Sequence, residues 1–498
     1  MDNKLLTQIN SIIQKIYLED NIPWVLGYSG GKDSTAALQV VWNALKELPI
    51  DIRNKKKVHV VSTNTLIESP IISKWVAESI RKLEKKAQED KMPIEPHHLV
   101  PEWNDTFWVN LLGRGYPYPR PTMRWCTDRL KIKPANKFVQ NVVSAYGEVI
   151  LVLGTRKAES TNRARTMEYY EKKRAREYLS PNGSIQNELV FSPLEDWSHM
   201  DVWEYLLNNE NPWGQSNQEL LEMYQGATMD FDGEEALVMN ASSPAWGKSR
   251  FGCWMCTMVE KDKSMVAMIT NDAEKQWMTP LMEFRNEIAD AEKDRDRRDF
   301  RRMTGATLLY KGRLVHGPYK KSVREEWLRK LLEIQCLIRR IGPEGFEDIE
   351  LITQQELNHI RQIWLNDKHE FDDSLPRIYE EVTGEQFISN DALAQSCFGE
   401  TEWNILSEVC SDLYPDEQLL FETVARVVDV ESRAAEQKTR RGIVGNIEAQ
   451  IKRGFFKDES DAKQYAAEKI LRKKKMGAAY DEKAEADPQM SLLEEEEA

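Results

Sequence analysis

From about residue 20 to 210 the chain alternates short runs rich in β-branched and aromatic residues with longer segments whose apolar positions recur every three to four residues. The runs Trp24–Ser29, Lys57–Thr63, His97–Val100 and Val149–Thr155 predict strands. The segments Ser34–Leu48, Glu68–Glu89, Lys133–Tyr146 and His199–Leu207 predict helices. Strand and helix in repeated alternation predict an α/β unit, a parallel sheet with helices on both faces. In such sheets ligands gather at the carboxyl ends of the strands. The opening stretch "MDNKLLTQINSIIQKIYLED" has helical spacing, and the charged insertion between Arg156 and Pro181 also reads as helical. Beyond about Lys263 the β signal fades, and "EEWLRKLLEIQCLIRRI" and "EQLLFETVARVVDVE" repeat with a helical period. The expected organisation is an N-terminal helix (1–20), an α/β domain (21–270), a mostly helical domain (271–440) and a charged, partly disordered tail (441–498).

Composition narrows this picture. A chain of 498 residues exceeds one compact core, and 41% hydrophobic content with 15 Trp supports well-buried domains. No run of 18 apolar residues occurs, so no membrane span is expected. The first residues lack a signal-peptide core, which predicts a cytoplasmic protein. A net charge of -14 argues against a protein that coats nucleic acid non-specifically but leaves room for a local basic site. Six cysteines make no disulfide framework at this length; they read as free thiols or metal ligands.

The most informative stretch is "WVLGYSGGKDSTAAL" (24–38), a glycine-rich loop between a strand and a helix. A Walker loop needs a glycine five positions before its Gly-Lys pair and Ser or Thr after it. Here Leu26 and Asp33 occupy those places, so the kinase-type reading fails at both ends. What remains still suits an anion. Gly30 and Gly31 let backbone approach a phosphate, the helix start offers N–H groups, and Ser29, Lys32, Ser34 and Thr35 add donors.

The run Ser29-Gly30-Gly31-Lys32-Asp33-Ser34-Thr35 resembles the SGGxDS loop of the PP-loop ATP pyrophosphatases. The resemblance implies the adenine nucleotide alpha hydrolase-like fold, and a loop that grips the pyrophosphate of ATP while AMP is transferred to substrate. Later stretches resemble the PAPS-reductase branch. "VVSTNTLIESP" (60–70) stands where that family contacts adenosine, with Thr63-Asn64-Thr65 in place of its usual Asp-Thr pair. "LGTRKAESTNRAR" (153–165) is similar to its G-x-R-x-x-E-S element; there Gly154 allows a tight strand exit, and Arg156, Arg163 and Arg165 are candidate ligands for phosphate-like oxygens. In "SPLEDWSHMDVWEYLLNNENPWG" (192–214), Ser198 is a helix N-cap, and Asp196 and Asp201 read as structural.

Cys253 and Cys256 form a C-x-x-C pair in "RFGCWMCTMV", and Cys126 lies in "MRWCTDRLKIKP". These segments resemble those that ligate a [4Fe–4S] cluster in the cluster-bearing reductases, with three thiolates here instead of four. One iron is then open to bind sulfur, or Cys336, Cys397 or Cys410 completes the set. Zinc, with a fourth ligand from one of the seven histidines, is the alternative metal.

Taken together, the motifs over residues 20–270 resemble the DndC family, sulfurtransferases of the bacterial Dnd system for DNA phosphorothioation. The resemblance implies catalytic roles for Lys32, Asp33, Cys126, Cys253 and Cys256. It implies ATP and magnesium as cofactors, with Thr63, Gly154 and Arg156 beside the loop in the nucleotide site. It also implies a cysteine desulfurase as sulfur donor, other Dnd proteins as partners, and DNA as substrate. Arg297, Arg298, Arg301 and Arg302 with Lys320 and Lys321 are the candidate DNA contacts, although their interspersed aspartates fit a salt-bridged surface equally well. tRNA thiolation, sulfonucleotide reduction and a non-catalytic ATP-sensing scaffold remain as alternative functions.

Overall fold

The four residues "WVLG" form the central strand of a six-stranded sheet, and the first three are 0–2% exposed because helices cover both faces. The computed structural model describes residues 3–183, 185–228, 251–389, 400–413, 418–435 and 440–475. The chain runs α1 (Asn3–Glu19), β1 (Trp24–Gly27), α2 (Lys32–Lys46), α3 (Ile50–Arg53), β2 (Val58–Thr63), α4 (Pro70–Glu89) and β3 (Ile94–Leu99). It continues through α5 (Trp125–Thr127), α6 (Lys133–Tyr146), β4 (Val149–Val152), α7 (Thr161–Glu171), β5 (Ser180–Pro181), β6 (Glu188–Phe191), α8 (His199–Asn208), α9 (Asn217–Gly226) and α10 (Lys263–Asn271). Then come α11 (Thr279–Ile288), α12 (Ala291–Arg297), a hairpin of β7 (Leu309–Tyr310) and β8 (Arg313–Leu314), and α13 (Lys321–Ile341). The remaining helices are α14 (Gln354–Gln362), α15 (Ser374–Thr383), α16 (Glu400–Leu413), α17 (Gln418–Ala435), α18 (Ile443–Arg453) and α19 (Glu459–Lys475).

These elements form two units. The first comprises Met1–Glu102 and Cys126–Met282, the second Trp103–Trp125 and Glu283–Ala498. In the first, the strand order is β3-β2-β1-β4-β6-β5, parallel throughout except for β5 against β6. Its larger core joins α1, α2, α4, α8 and α9 to one sheet face around Trp24, Trp42, Trp203 and Trp213. A smaller cluster, Val25, Val61, Val139, Val142 and Val149, lies under α6. This is the expected mostly parallel sheet with helices, followed by a helical C-terminal region.

Two differences from the sequence reading have plain causes. β3 begins at Ile94, not His97, because Pro96 is tolerated on an edge strand that pairs only with β2. β6 was not among the expected strands. It is only four residues, "ELVF", yet it pairs along its whole length with β4.

The second unit is built round α13, whose buried face carries Arg324, Trp327, Leu328, Leu331, Leu332, Gln335 and Ile338. Residues 103–125 thread through it. The Trp108 indole donates to the Leu351 carbonyl at 2.7 Å, and the Trp364 indole donates to that of Leu112 at 2.9 Å. Among the described residues, no helix is long and apolar enough to cross a membrane.

Candidate functional site

The loop at the carboxyl end of β1 is shaped by contacts only glycine permits. Gly30 has φ +71°, and a β-carbon there would lie 2.5 Å from Val76 Cγ2. Its carbonyl accepts the Trp75 indole N–H at 3.2 Å. Gly31 is the N-cap of α2 and supplies no side-chain cap, so the first N–H groups of the helix lie at the loop. Ser34 Oγ accepts the Ser29 N–H at 3.2 Å and donates to the Gly31 carbonyl at 3.0 Å, closing the turn.

Charge is concentrated here. Asp33 takes the Lys32 ammonium at 2.7 Å on one oxygen and the Arg156 Nε at 2.8 Å on the other. Lys32 and Arg156 are 7% and 2% exposed, so this carboxylate balances two largely buried cations. Arg156 also donates to the Trp197 carbonyl at 3.2 Å, and its own N–H goes to Glu159 at 2.9 Å. Its guanidinium is thus held by the loop's own Asp33 and by the Trp197 carbonyl. Gly154, just past β4, lies against the start of α2; a β-carbon there would come 2.5 Å from the Asp33 carbonyl oxygen. Thr35 is buried in the first turn of α2, and Thr63 is half-buried at the end of β2. Arg163 and Arg165 lie exposed on α7.

Three residues that sequence reasoning missed complete the surroundings. Trp75 of α4 holds Gly30 as described. Tyr224 of α9 accepts the Lys32 backbone N–H at 3.4 Å, and its ring lies 5.6 Å from the Lys32 ammonium. His199, at the start of α8, has its pKa lowered to about 4 by burial and by the nearby Lys32 and Arg156 charges. None of them carries a local signal, because each reaches the loop only through the fold. Ser198 caps α8 in a reciprocal box with Asp201, and Asp196 pairs with Lys157 at 2.8 Å.

The cysteines converge in the same unit. The Cys-x-x-Cys turn is strapped to the segment after β2: Trp254 N–H donates to the Ile67 carbonyl at 3.0 Å, Ser69 N–H to that of Gly252 at 3.4 Å, and Thr65 Oγ1 lies 3.4 Å from Cys253 Sγ. Within the turn, Cys256 N–H donates to the Cys253 carbonyl at 2.9 Å. Cys126, Cys253 and Cys256 all lie within electrostatic reach of the Lys131 ammonium, whose pKa they raise, Cys253 most. Burial pushes the Cys253 thiol up to about 11 and raises that of Cys126 as well. Each of the three is partly exposed. Their sulfurs do not crowd into the tight set a single ion needs: among the described residues, no three thiols lie within 4.8 Å of one another. Three partly exposed thiols round one cation are a donor set of the kind that iron–sulfur clusters take. Cys336 (on α13) and Cys410 (on α16) belong to the second unit, and Cys397 lies outside the described residues.

The predicted basic residues sort into two groups within the second unit. Arg297 donates to the Glu287 carbonyl at 2.6 Å and lies over the Trp327 ring; Arg298 donates to the Gly317 carbonyl at 2.8 Å and pairs with Asp294 at 3.2 Å. Both act as internal struts. Arg301, Arg302, Lys320 and Lys321 line a cavity of about 370 Å³, where eight Lys and Arg residues face four carboxylates. The cations outnumber the carboxylates there, with Lys321, Arg324 and Arg426 each paired to one, so the lining is locally positive in an acidic chain.

Residues 23–259, just under half of the chain, match the model of the phosphoadenosine phosphosulfate reductase domain, so this region is a PAPS-reductase-like domain. Two uncharacterized proteins of Methanocaldococcus jannaschii are similar. One is 25% identical over 251 residues, covering 50% of this chain and 39% of its own length; the other is 24% identical over 210 residues, covering 42% of each. The chain therefore spans about two fifths of the length of these relatives. Among solved structures, the phosphoadenylyl-sulfate reductase of Candida auris in its phosphate complex aligns at 14% identity and a TM-score of 0.27, over 45% of this chain and 92% of that one. The U34-tRNA thiolase NcsA of Methanococcus maripaludis with its [4Fe-4S] cluster aligns at 16% identity and a TM-score of 0.28, over 58% of this chain and 81% of that one.

Proposed function

We propose that this PAPS-reductase-like domain is an ATP pyrophosphatase and sulfurtransferase acting in DNA phosphorothioation. The observation that carries the sulfur-transfer reading is the pair of ties between the nucleotide loop and the thiols. α4 holds Gly30 through Trp75, while the segment leading into it is bonded to Gly252 and Trp254. Tyr224 holds the Lys32 N–H, while its ring meets Phe251, two residues before Cys253, at 4.6 Å. An adenylating loop and a thiol set fixed to common elements suit activation and sulfur transfer on one substrate.

In the proposed reaction, an oxygen of the DNA phosphodiester attacks the α-phosphorus of ATP, and the bond to pyrophosphate breaks. The uncapped start of α2 and Lys32 stabilise the charge that grows on the leaving phosphates, with magnesium bound to the polyphosphate. Asp33, held by Lys32 and Arg156, fixes both cations in place. Sulfane sulfur from a cysteine desulfurase, carried as a persulfide, then attacks the DNA phosphorus and displaces AMP; a thiol reductant cleaves the S–S bond with two electrons, and a P–S bond stands where the P–O bond was. Cys126, Cys253 and Cys256 would hold a [4Fe–4S] cluster, which supplies an iron open to sulfur when three thiolates bind it. The cationic cavity of the second unit favours a polyanionic substrate, with the other Dnd proteins as partners in the modification complex.

The test has two parts. Purified chain with ATP, DNA and a sulfur source should yield AMP and pyrophosphate; ADP and phosphate would contradict the loop assignment. Mass spectrometry of DNA from cells should find phosphorothioate dinucleotides lost in Cys253→Ser, and equal amounts in both strains would remove the sulfur route. Thiolated tRNA in place of thiolated DNA would reassign the substrate and leave the site chemistry intact.

A further inference from the structure

Strands β2 and β3 carry a second constellation, which the proposed sulfur chemistry does not use. In their parallel register His59 stands beside Glu95 and Val61 beside His97. Side chains alternate along a strand, so His59, Glu95 and His97 project from one face. That face is covered by α6, whose Phe138 ring lies 5.7 Å from the His59 ring and 4.7 Å from that of His97. All three residues occupy the first four positions of their strands, whereas the nucleotide loop follows the carboxyl end of β1.

Three lone-pair-bearing atoms converge here. His59 Nδ1 lies 3.0 Å from His97 Nε2 and 3.5 Å from Glu95 Oε2. One ligand atom from each residue falls within 4.8 Å of the others. A single N–H on His59 Nδ1 cannot serve both His97 and the carboxylate. A cation at the centre satisfies all three. Zinc at ~2.0–2.1 Å from nitrogen and oxygen, with tetrahedral angles, separates its ligands by about 3.3 Å. The two observed spacings bracket that value.

The surroundings support such a site. The other oxygen of Glu95 is bonded to Lys57, which leaves Oε2 turned toward His59, as an outer-shell partner does. His59 is 8% exposed and anchors the site, while the Glu95 side chain is 42% exposed and gives an ion a path from solvent. No fourth protein ligand completes the set among the described residues, so water would occupy the last position.

We propose that His59, Glu95 and His97 form a second metal site, for a divalent transition metal of the zinc class, separate from the thiols and the nucleotide loop. Two imidazoles and one carboxylate at this spacing select zinc over calcium or magnesium, which take more oxygen ligands. The ion would pin the edge strand β3 to β2 beneath α6.

The experiment removes the thiols from the count. Full-length chain carrying Cys126→Ser, Cys253→Ser and Cys256→Ser is stripped with chelator and titrated with zinc chloride. One equivalent should bind and raise the melting temperature, and adding His97→Gln or Glu95→Gln should abolish both effects. A triple variant that takes up no zinc, or an equivalent that survives both substitutions, overturns the site. If the triple variant does not fold, wild-type chain loaded with cobalt answers the same question. A cobalt equivalent with ligand-field bands and no thiolate charge-transfer band should be present and vanish in Glu95→Gln; its absence overturns the proposal.

Discussion

Replacing Gly154 by alanine probes the join between the end of β4 and the start of α2. The added β-carbon would sit 2.5 Å from the Asp33 carbonyl oxygen, 2.7 Å from its carbonyl carbon and 3.0 Å from the Ser34 nitrogen. Non-bonded atoms of these kinds prefer about 3.3–3.8 Å, so the strand exit and the helix start must separate by roughly 1 Å. Every atom in the way is backbone, and no side chain can swing aside. Overpacking of this sort costs about 1–3 kcal/mol, a fall of about 2–10 °C in melting temperature for a unit of this size. The larger effect is on position. Asp33 orients Lys32 and Arg156, and a displacement of about 1 Å at a reacting centre costs on the order of 100-fold in rate. The assay pairs thermal unfolding, which reads the packing alone, with pyrophosphate release, which reads the loop. Gly445→Ala is the control: it lies within α18, a β-carbon there meets nothing within 4 Å, and it should be neutral or stabilising by about 0.5–1 kcal/mol. A Gly154→Ala chain with wild-type melting temperature would refute the packing argument. One that melts lower but releases pyrophosphate within twofold of wild type would refute the positional one.

Three further outcomes follow from the charges. Asp33→Asn leaves Lys32 and Arg156 without their shared carboxylate, a loss of up to about 3–5 kcal/mol, lessened because the Asp33 side chain is 24% exposed; Asp33→Asn with Arg156→Met should unfold later in urea than Asp33→Asn alone, and equal midpoints would refute the coupling. His199, held at about 4 by burial and by Lys32 and Arg156, binds its proton later than the unfolded chain does, so its contribution to stability falls as pH drops from about 6.5 toward 4; an NMR titration placing this ring near 6.5 would contradict it. Lys368, in the cationic cavity, is lowered to about 7 by burial and by Arg324, so binding of sulfate, which stays dianionic throughout, should strengthen in calorimetry as pH falls from 8 to 6. Lys368→Met should flatten that dependence, and a variant that keeps the full slope would exclude Lys368 as its source.

Much of the fold was legible because it is local. The strand–loop–helix at residues 24–38 announces itself through apolar residues, two glycines and a run of helix formers, and α6 matches its expected span of Lys133–Tyr146. What escaped depends on long-range pairing. A four-residue strand such as β6 has too little pattern to be seen until β4 and β5 flank it. Likewise "EKDRDRRDFRR" presents its arginines as equals, and only the fold shows that Arg301 and Arg302 line the cavity while Arg297 and Arg298 do not, Arg301 also donating to the Phe456 carbonyl at 2.7 Å.

The same distinction explains why the loop and the thiols, each visible in the sequence, did not reveal how they are joined. Motif residues are selected for chemistry, and chemistry restricts residue type and local spacing. The groups that join two motifs are selected for reach, and reach is a property of the fold. Tyr224 shows this best. Its hydroxyl serves the Lys32 N–H across 192 positions, and its ring is wedged between Trp203 at 5.2 Å and Phe251 at 4.6 Å. In sequence it is one tyrosine among sixteen. In the folded unit its ring packing fixes the hydroxyl, so the start of α2 and the approach to Cys253 cannot shift independently. The proposed transfer of sulfur to an adenylated substrate needs that constraint, because activation and attack must find the same phosphorus.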